Sequence, residues 1–110
     1  MVFSDLLKLM KHKKASDLFI TAGMAPAIKV DGKLTPVTRQ ALTPEQSRAF
    51  AYGIMNEDQR RQFEAHNECN FAIAPQDIGR FRVNVFMQQQ RVGMVLRTIN
   101  TEIPRFEDLH

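Results

Sequence analysis

One cysteine in 110 residues leaves no internal disulfide, so Cys69 is a free thiol and cross-links contribute nothing to stability. Long apolar runs are missing as well. The uninterrupted apolar stretches are a few residues long, against the roughly 20 that a spanning helix needs, and no charged start followed by an apolar run announces export. These gaps predict a cytosolic chain that does not cross a membrane. His12, His66 and His110 lie far apart with no Cys or His at ligand spacing, so no metal site is expected. A phosphate loop, Gly-x-x-x-x-Gly-Lys-Ser/Thr, is absent too: none of Gly23, Gly32, Gly53, Gly79 or Gly93 fits it, and only Gly32 precedes a Lys. This stretch alone is therefore not expected to hydrolyse ATP. Cys69 has His66 three residues before it, but it falls in a strand whose inward side chains should be apolar, which predicts a buried, inert thiol.

What remains is the composition of one ordinary domain: 44% apolar and 25% charged, with 15 Lys+Arg against 12 Asp+Glu. A chain of this length can bury roughly two thirds of its surface, enough for a core without staples. The net charge of +3 is too mild to argue for nucleic acid. It is unevenly spread, however. Residues 1–55 carry eight bases and four acids, whereas residues 56–110 carry seven and eight. Within that second half, residues 80–97 hold Arg80, Arg82, Arg91 and Arg97 and no acid at all.

Phe3, Leu6, Leu7 and Met10 recur at helical spacing, which predicts a first helix capped by Ser4 and ending near Lys14; its lysines suit the negative end of the helix dipole. A strand over Asp17–Thr21 and a hairpin follow, the hairpin turning at Asp31-Gly32 between Ala27–Val30 and Lys33–Val37. Thr43-Pro44-Glu45-Gln46 combines a capping hydroxyl, Pro at the first helical position and Gln at the third, predicting a helix from Pro44 to about Met55. Asn56-Glu57-Asp58-Gln59 repeats the signal for a shorter helix through Phe63. Strands are predicted over Cys69–Ala74, Phe81–Met87 and about Val92–Ile99. The order α-β-β-β-α-α-β-β-β predicts an α+β domain with helices packed on an antiparallel sheet.

The last two strands fix their own register. A loop of two or four residues centred on Gln89 and Gln90 sets Phe81, Val83, Val85 and Met87 opposite Thr98, Leu96, Met94 and Val92, making one ribbon face almost wholly apolar. A shift by one residue would thrust Arg97 or Arg91 into that face, against the burial cost of a lone guanidinium. The same register sets Arg82 directly across from Arg97 on the other face, with Arg80, Asn84, Arg91 and Val95 beside them. Like charges facing across a ladder are mildly destabilising. Acids elsewhere in the domain or plain solvent would relieve them, and so would an external anion, for which arginine forks are suited.

Ser16-Asp17-Leu18-Phe19-Ile20-Thr21-Ala22-Gly23, Val30-Asp31-Gly32-Lys33-Leu34, Gly79-Arg80-Phe81-Arg82-Val83 and Val95-Leu96-Arg97 occur in an order and spacing that span nearly the whole chain. Together they resemble the N-terminal domain of type IV pilus retraction motors, the PilT/PilU family of secretion ATPases. Gly93-Met94-Val95-Leu96-Arg97 and Cys69-Asn70-Phe71-Ala72-Ile73 are similar to the PilU branch in particular. The resemblance implies a PAS-like α+β domain over residues 1–100 and, from residue 101, the start of a linker to a RecA-like ATPase domain beyond His110. It implies ATP and Mg²⁺ in the parent protein, neither bound by this stretch alone. The implied partners are the RecA-like domain of the adjacent subunit in a homo-oligomeric hexamer, a pilus platform protein of the inner membrane and a paralogous retraction motor, without nucleic acid. The implied location is cytoplasmic, peripheral at the inner membrane. Arg82 and Arg97 would contact nucleotide phosphates in trans, with Arg80 and Arg91 as supporting charges, while Gln88-Gln89-Gln90 departs from the family pattern. Two other classes stand beside this one: a stand-alone PAS-like sensor with a ligand between sheet and helices, and a single-strand nucleic-acid module in which Phe86 stacks a base.

Overall fold

Leu6, Leu7 and Met10 are buried on one side of the first helix in a computed structural model that describes residues 2–99. This helix, α1 (Phe3–Lys13), starts one residue before the predicted cap. Val2 occupies the N-cap without a side-chain hydrogen bond, and Ser4 lies inside the first turn. Lys14 ends the helix in the left-handed conformation (φ 55°), its N–H directed at the carbonyls of Lys11 and Met10.

β1 (Asp17–Thr21), β2 (Ala27–Val30) and β3 (Lys33–Pro36) follow, with Asp31 and Gly32 both at positive φ, as a type I′ turn demands. α2 (Pro44–Ile54) opens on a complete capping box: the Gln46 N–H donates to Thr43 Oγ1 at 3.1 Å, and the Thr43 N–H donates to Gln46 Oε1 at 2.8 Å. Asn56 and Gln59 build the same device for α3 (Glu57–His66). α3 runs three residues past the predicted end at Phe63, because the residue able to close it with a left-handed turn is Asn67 (φ 59°), whose N–H reaches the Phe63 carbonyl at 2.7 Å. Tyr52 braces the α2–α3 corner, edge-on to Phe63, with its hydroxyl donating to Glu64 at 3.1 Å.

β4 (Glu68–Ile73), β5 (Phe81–Gln88) and β6 (Arg91–Thr98) complete a six-stranded sheet in the order β3-β2-β1-β6-β5-β4, with every neighbouring pair antiparallel. The α+β class and the antiparallel sheet covered by helices are as the sequence predicts. β1 lies at the centre because β6 inserts between it and β5. Alternation then sorts the side chains. Leu18, Ile20, Phe81, Val83, Val85, Met94 and Leu96 are 2% exposed or less and face the helices together with Met10 and Phe63. These side chains pack in one cluster between the sheet and the helices. Cys69, 3% exposed, belongs to the same core.

Among the described residues, Ser47 carries a fully buried hydroxyl. It donates to the Val92 carbonyl at 2.8 Å, at the point where β1 has already ended opposite Gly93 and the ladder offers no partner. No described helix is long and apolar enough to cross a membrane. The expected linker start at residue 101 lies outside the described residues.

Candidate functional site

The face of the sheet turned away from the helices is open, and its register is the one the apolar pattern dictates. Phe81 pairs with Thr98, Val83 with Leu96, Val85 with Met94 and Met87 with Val92, so Arg82 pairs with Arg97. Gln89 and Gln90 form the two-residue turn, both at positive φ (51° and 64°). Counting back from that turn, Arg82 and Arg97 are a hydrogen-bonded pair, with Cα atoms about 5.5 Å apart and side chains on one face. Two guanidinium groups thus stand abreast on backbone held by the ladder.

The row they belong to runs across the sheet: Lys29, Asp17, Arg97, Arg82 and Ala72 on β2, β1, β6, β5 and β4. Asp17 is the residue the sequence pattern leaves out of the site. It is the buried charged residue among those described, and its Oδ2 accepts from Arg97 Nε at 3.4 Å. Among the described residues the acid-free span 80–97 therefore does find an acid, for one arginine and through one nitrogen. Arg97 remains 73% exposed while the Asp17 side chain is 9% exposed. The pair holds the neck of the guanidinium and leaves its terminal nitrogens to solvent. Among the described residues, Arg82 has no carboxylate within ion-pair distance.

Of the other two arginines, Arg80 stands two residues before Arg82 where the ladder continues, the Ile99 N–H donating to its carbonyl at 2.9 Å, and Arg91 lies at the far end of the hairpin. Arg80, just before β5, lines a cleft of about 640 Å³ with Lys11 and Lys14 at the end of the sheet. Arg91 starts β6 opposite Gln88, with its Nη1 beside Gly23. Six residues of extended strand separate it from Arg97, about 20 Å, so one small anion cannot reach both.

Beyond the arginines the open face turns apolar. Phe19 and Val95 are half-buried cross-strand neighbours, and Phe86 lies across Gly93. A Cβ at Gly93 would sit 2.6 Å from the Phe86 ring, so glycine there is what lets the ring lie flat. The sequence pattern assigns this face one aromatic, and Phe19 makes a second.

The chemistry available here is charge and hydrogen-bond donation. The described residues contain no group of three His, Cys, Asp or Glu able to hold a metal ion. Burial pushes the Cys69 thiol up from its ordinary range, away from nucleophilic use. Two forks that stay charged at any ordinary pH, presented side by side, fit the oxygens of a phosphate chain.

No family model matches the chain. Over 109 residues it is 56% identical to the type IV pilus ATPase PilU of Pseudomonas aeruginosa, covering 99% of this chain and 28% of that one. It is 38% identical to the pilus retraction ATPase PilT of the same organism, covering 99% and 32%. Among solved structures, the pilus retraction motor PilT with bound ADP matches with a TM-score of 0.88 at 34% identity, over 97% of this chain and 32% of that one. The ATPase DotB of Legionella pneumophila shares the fold, with a TM-score of 0.75 at 22% identity over 96% of this chain and 30% of that one. The chain thus spans about a third or less of the relatives it matches. The fold and the sequence together match the N-terminal domain of the type IV pilus motors PilT and PilU. The chain is more similar to the PilU relative than to the PilT one, at 56% against 38% identity.

Proposed function

We propose that this domain is the interface and regulatory unit of a hexameric pilus-retraction motor, supplying Arg82 and Arg97 to the phosphates of ATP bound by a neighbouring subunit's ATPase domain. The observation that carries the proposal is the Arg82–Arg97 pairing across β5 and β6, two guanidiniums with free terminal nitrogens on one exposed face. During phosphoryl transfer, negative charge spreads over the γ-phosphoryl oxygens. Preorganised cations that meet it there lower the barrier without reorganising. Since the forks sit on one domain and the nucleotide on another, hydrolysis and release would change the attraction between the two bodies and so drive their relative rotation.

The residues of this chain fit the phosphates and do not fit the metal. The described residues hold no ligand cluster for Mg²⁺, and the sequence has no phosphate loop, so both tasks fall to the ATPase domain. The motor would work on the cytoplasmic side of the inner membrane, against a platform protein of the pilus and beside a paralogous motor.

The test uses the intact motor. Arg82→Ala and Arg97→Ala should each keep binding of a fluorescent ATP analogue and lose most turnover; in other phosphoryl-transfer systems one such arginine is worth about 10³–10⁵ in rate. Undiminished turnover in both variants would remove the proposed role. The 110-residue chain alone should show no turnover above a blank.

A further inference from the structure

A buried carboxylate on an otherwise open face calls for a reason, because taking Asp17 out of water costs more than a surface ion pair returns. Its position supplies one. β1 is paired on both sides, Asp17 facing Lys29 on β2 and Arg97 on β6, and the chain just before it is pinned as well: the Ser16 N–H donates to the Lys29 carbonyl at 2.8 Å, and the Thr98 N–H donates to the Ser16 carbonyl at 2.9 Å. The backbone that carries the carboxylate is thus held from both sides, and the side chain is 9% exposed. The Arg97 side chain is long and 73% exposed, and among the described residues the Nε contact at 3.4 Å is its side-chain hydrogen bond.

We infer that Asp17 is a positioning residue for Arg97, an inference that rests on the phosphate role proposed above. Holding the Nε–H selects one orientation of the guanidinium plane and turns the two terminal nitrogens outward, the edge with which a fork grips phosphate. It also removes, before the anion arrives, part of the rotamer freedom that Arg97 would otherwise lose on binding. One carboxylate between Lys29 and two arginines offsets their repulsion without neutralising the face, so the site is held together and still attracts an anion. A carboxylate that competed with phosphate would cover the terminal nitrogens. Asp17 touches the neck.

Two measurements test this. In the intact motor, Asp17→Asn keeps the shape and removes the charge. It should lower kcat about tenfold with KM nearly unchanged, the order of effect expected when an orienting partner is lost, and it should have no further effect in an Arg97→Ala background. A rise in kcat would make Asp17 a competitor and overturn the inference, and so would a loss that adds in full to that of Arg97→Ala. Where Arg97→Ala leaves turnover intact, the phosphate role of Arg97 itself fails. Where Arg97→Ala abolishes turnover and Asp17→Asn is silent, that role stands and the positioning role falls. The second measurement needs no variant. In the NMR spectrum of the 110-residue chain, the Arg97 Nε–H should exchange with water several-fold more slowly than the Arg82 Nε–H, and equal rates would refute the tether.

Discussion

Replacing Arg82 and Arg97 by Gln, one at a time, should move the stability of this domain in opposite directions. Their Cα atoms stand about 5.5 Å apart across the ladder, so exposed guanidinium groups repel at about 7 Å, worth about 0.6 kcal/mol in water. Arg82 has no acid partner among the described residues, so Arg82→Gln removes repulsion and little else. It should stabilise by about 0.5 kcal/mol at low ionic strength and about 0.1 kcal/mol at 0.5 M salt, where the Debye length is shorter than the separation. Arg97→Gln removes the same repulsion but leaves the Asp17 carboxylate, 9% exposed, without its donor. Orphaning a buried charged acceptor costs about 1–3 kcal/mol. The contact is long, so the net effect should be a destabilisation of about 1 kcal/mol. Urea unfolding of the domain in low and high salt reads both, the midpoint for Arg82→Gln rising by about 0.3 M with an unchanged slope. A loss of stability in Arg82→Gln at low salt, or a gain that ignores salt, would mean that the two guanidiniums do not face each other on one open surface.

Two further outcomes follow from local geometry. Gln89 and Gln90 both sit at positive φ, where an L residue is strained by about 1–2 kcal/mol and where an Asn followed by a Gly is the favoured pair. The double substitution Gln89→Asn with Gln90→Gly should therefore raise stability by about 1–2 kcal/mol in the same unfolding assay, and a decrease would show that the turn side chains hold something the backbone does not. Burial pushes the Cys69 thiol above its ordinary value of 9.0. The folded state then holds the proton more tightly than the unfolded state, so the contribution to stability is whole below about pH 9 and is lost as pH climbs through the raised value. A Cys69→Ser chain should lack that alkaline loss, and native Cys69 should react with a thiol reagent at about pH 8 only as fast as the domain opens.

The part of the site written most clearly in the sequence was the β5–β6 register, because a period of two with four arginines leaves one pairing that buries no charge. Turn chemistry and capping boxes were equally legible, being decided within four residues. Asp17 was not, and the reason is separation: it reaches Arg97 only because β6 slots between β1 and β5, a neighbour relation spanning 80 residues that no local pattern encodes. Phe19 was missed on the same ground, since its face is known once β1 is placed beside β6. The first helix begins at Phe3, after Val2 at the N-cap, because a Ser inside the first turn and a Ser before it look alike in one sequence, and packing of Leu6, Leu7 and Met10 decides between them.

A ladder suits a phosphate contact better than a loop does. Arg97 stands on a strand hydrogen-bonded to β1 and β5, and Arg82 on one hydrogen-bonded to β6 and β4, so the separation of the two Cα atoms is set by the sheet and survives motion at its edges. What remains adjustable is the side chains, and there the two differ. Arg97 is steadied from one side by a carboxylate it does not fully engage, whereas Arg82 has no carboxylate partner among the described residues and faces the charge opposite. Arrival of a polyphosphate would therefore order Arg82 more than Arg97 while relieving the repulsion between them. The anion would gain the most from a pair kept in register, close together and incompletely neutralised, which is the arrangement the apolar underside of the hairpin enforces by keeping both arginines on the open face.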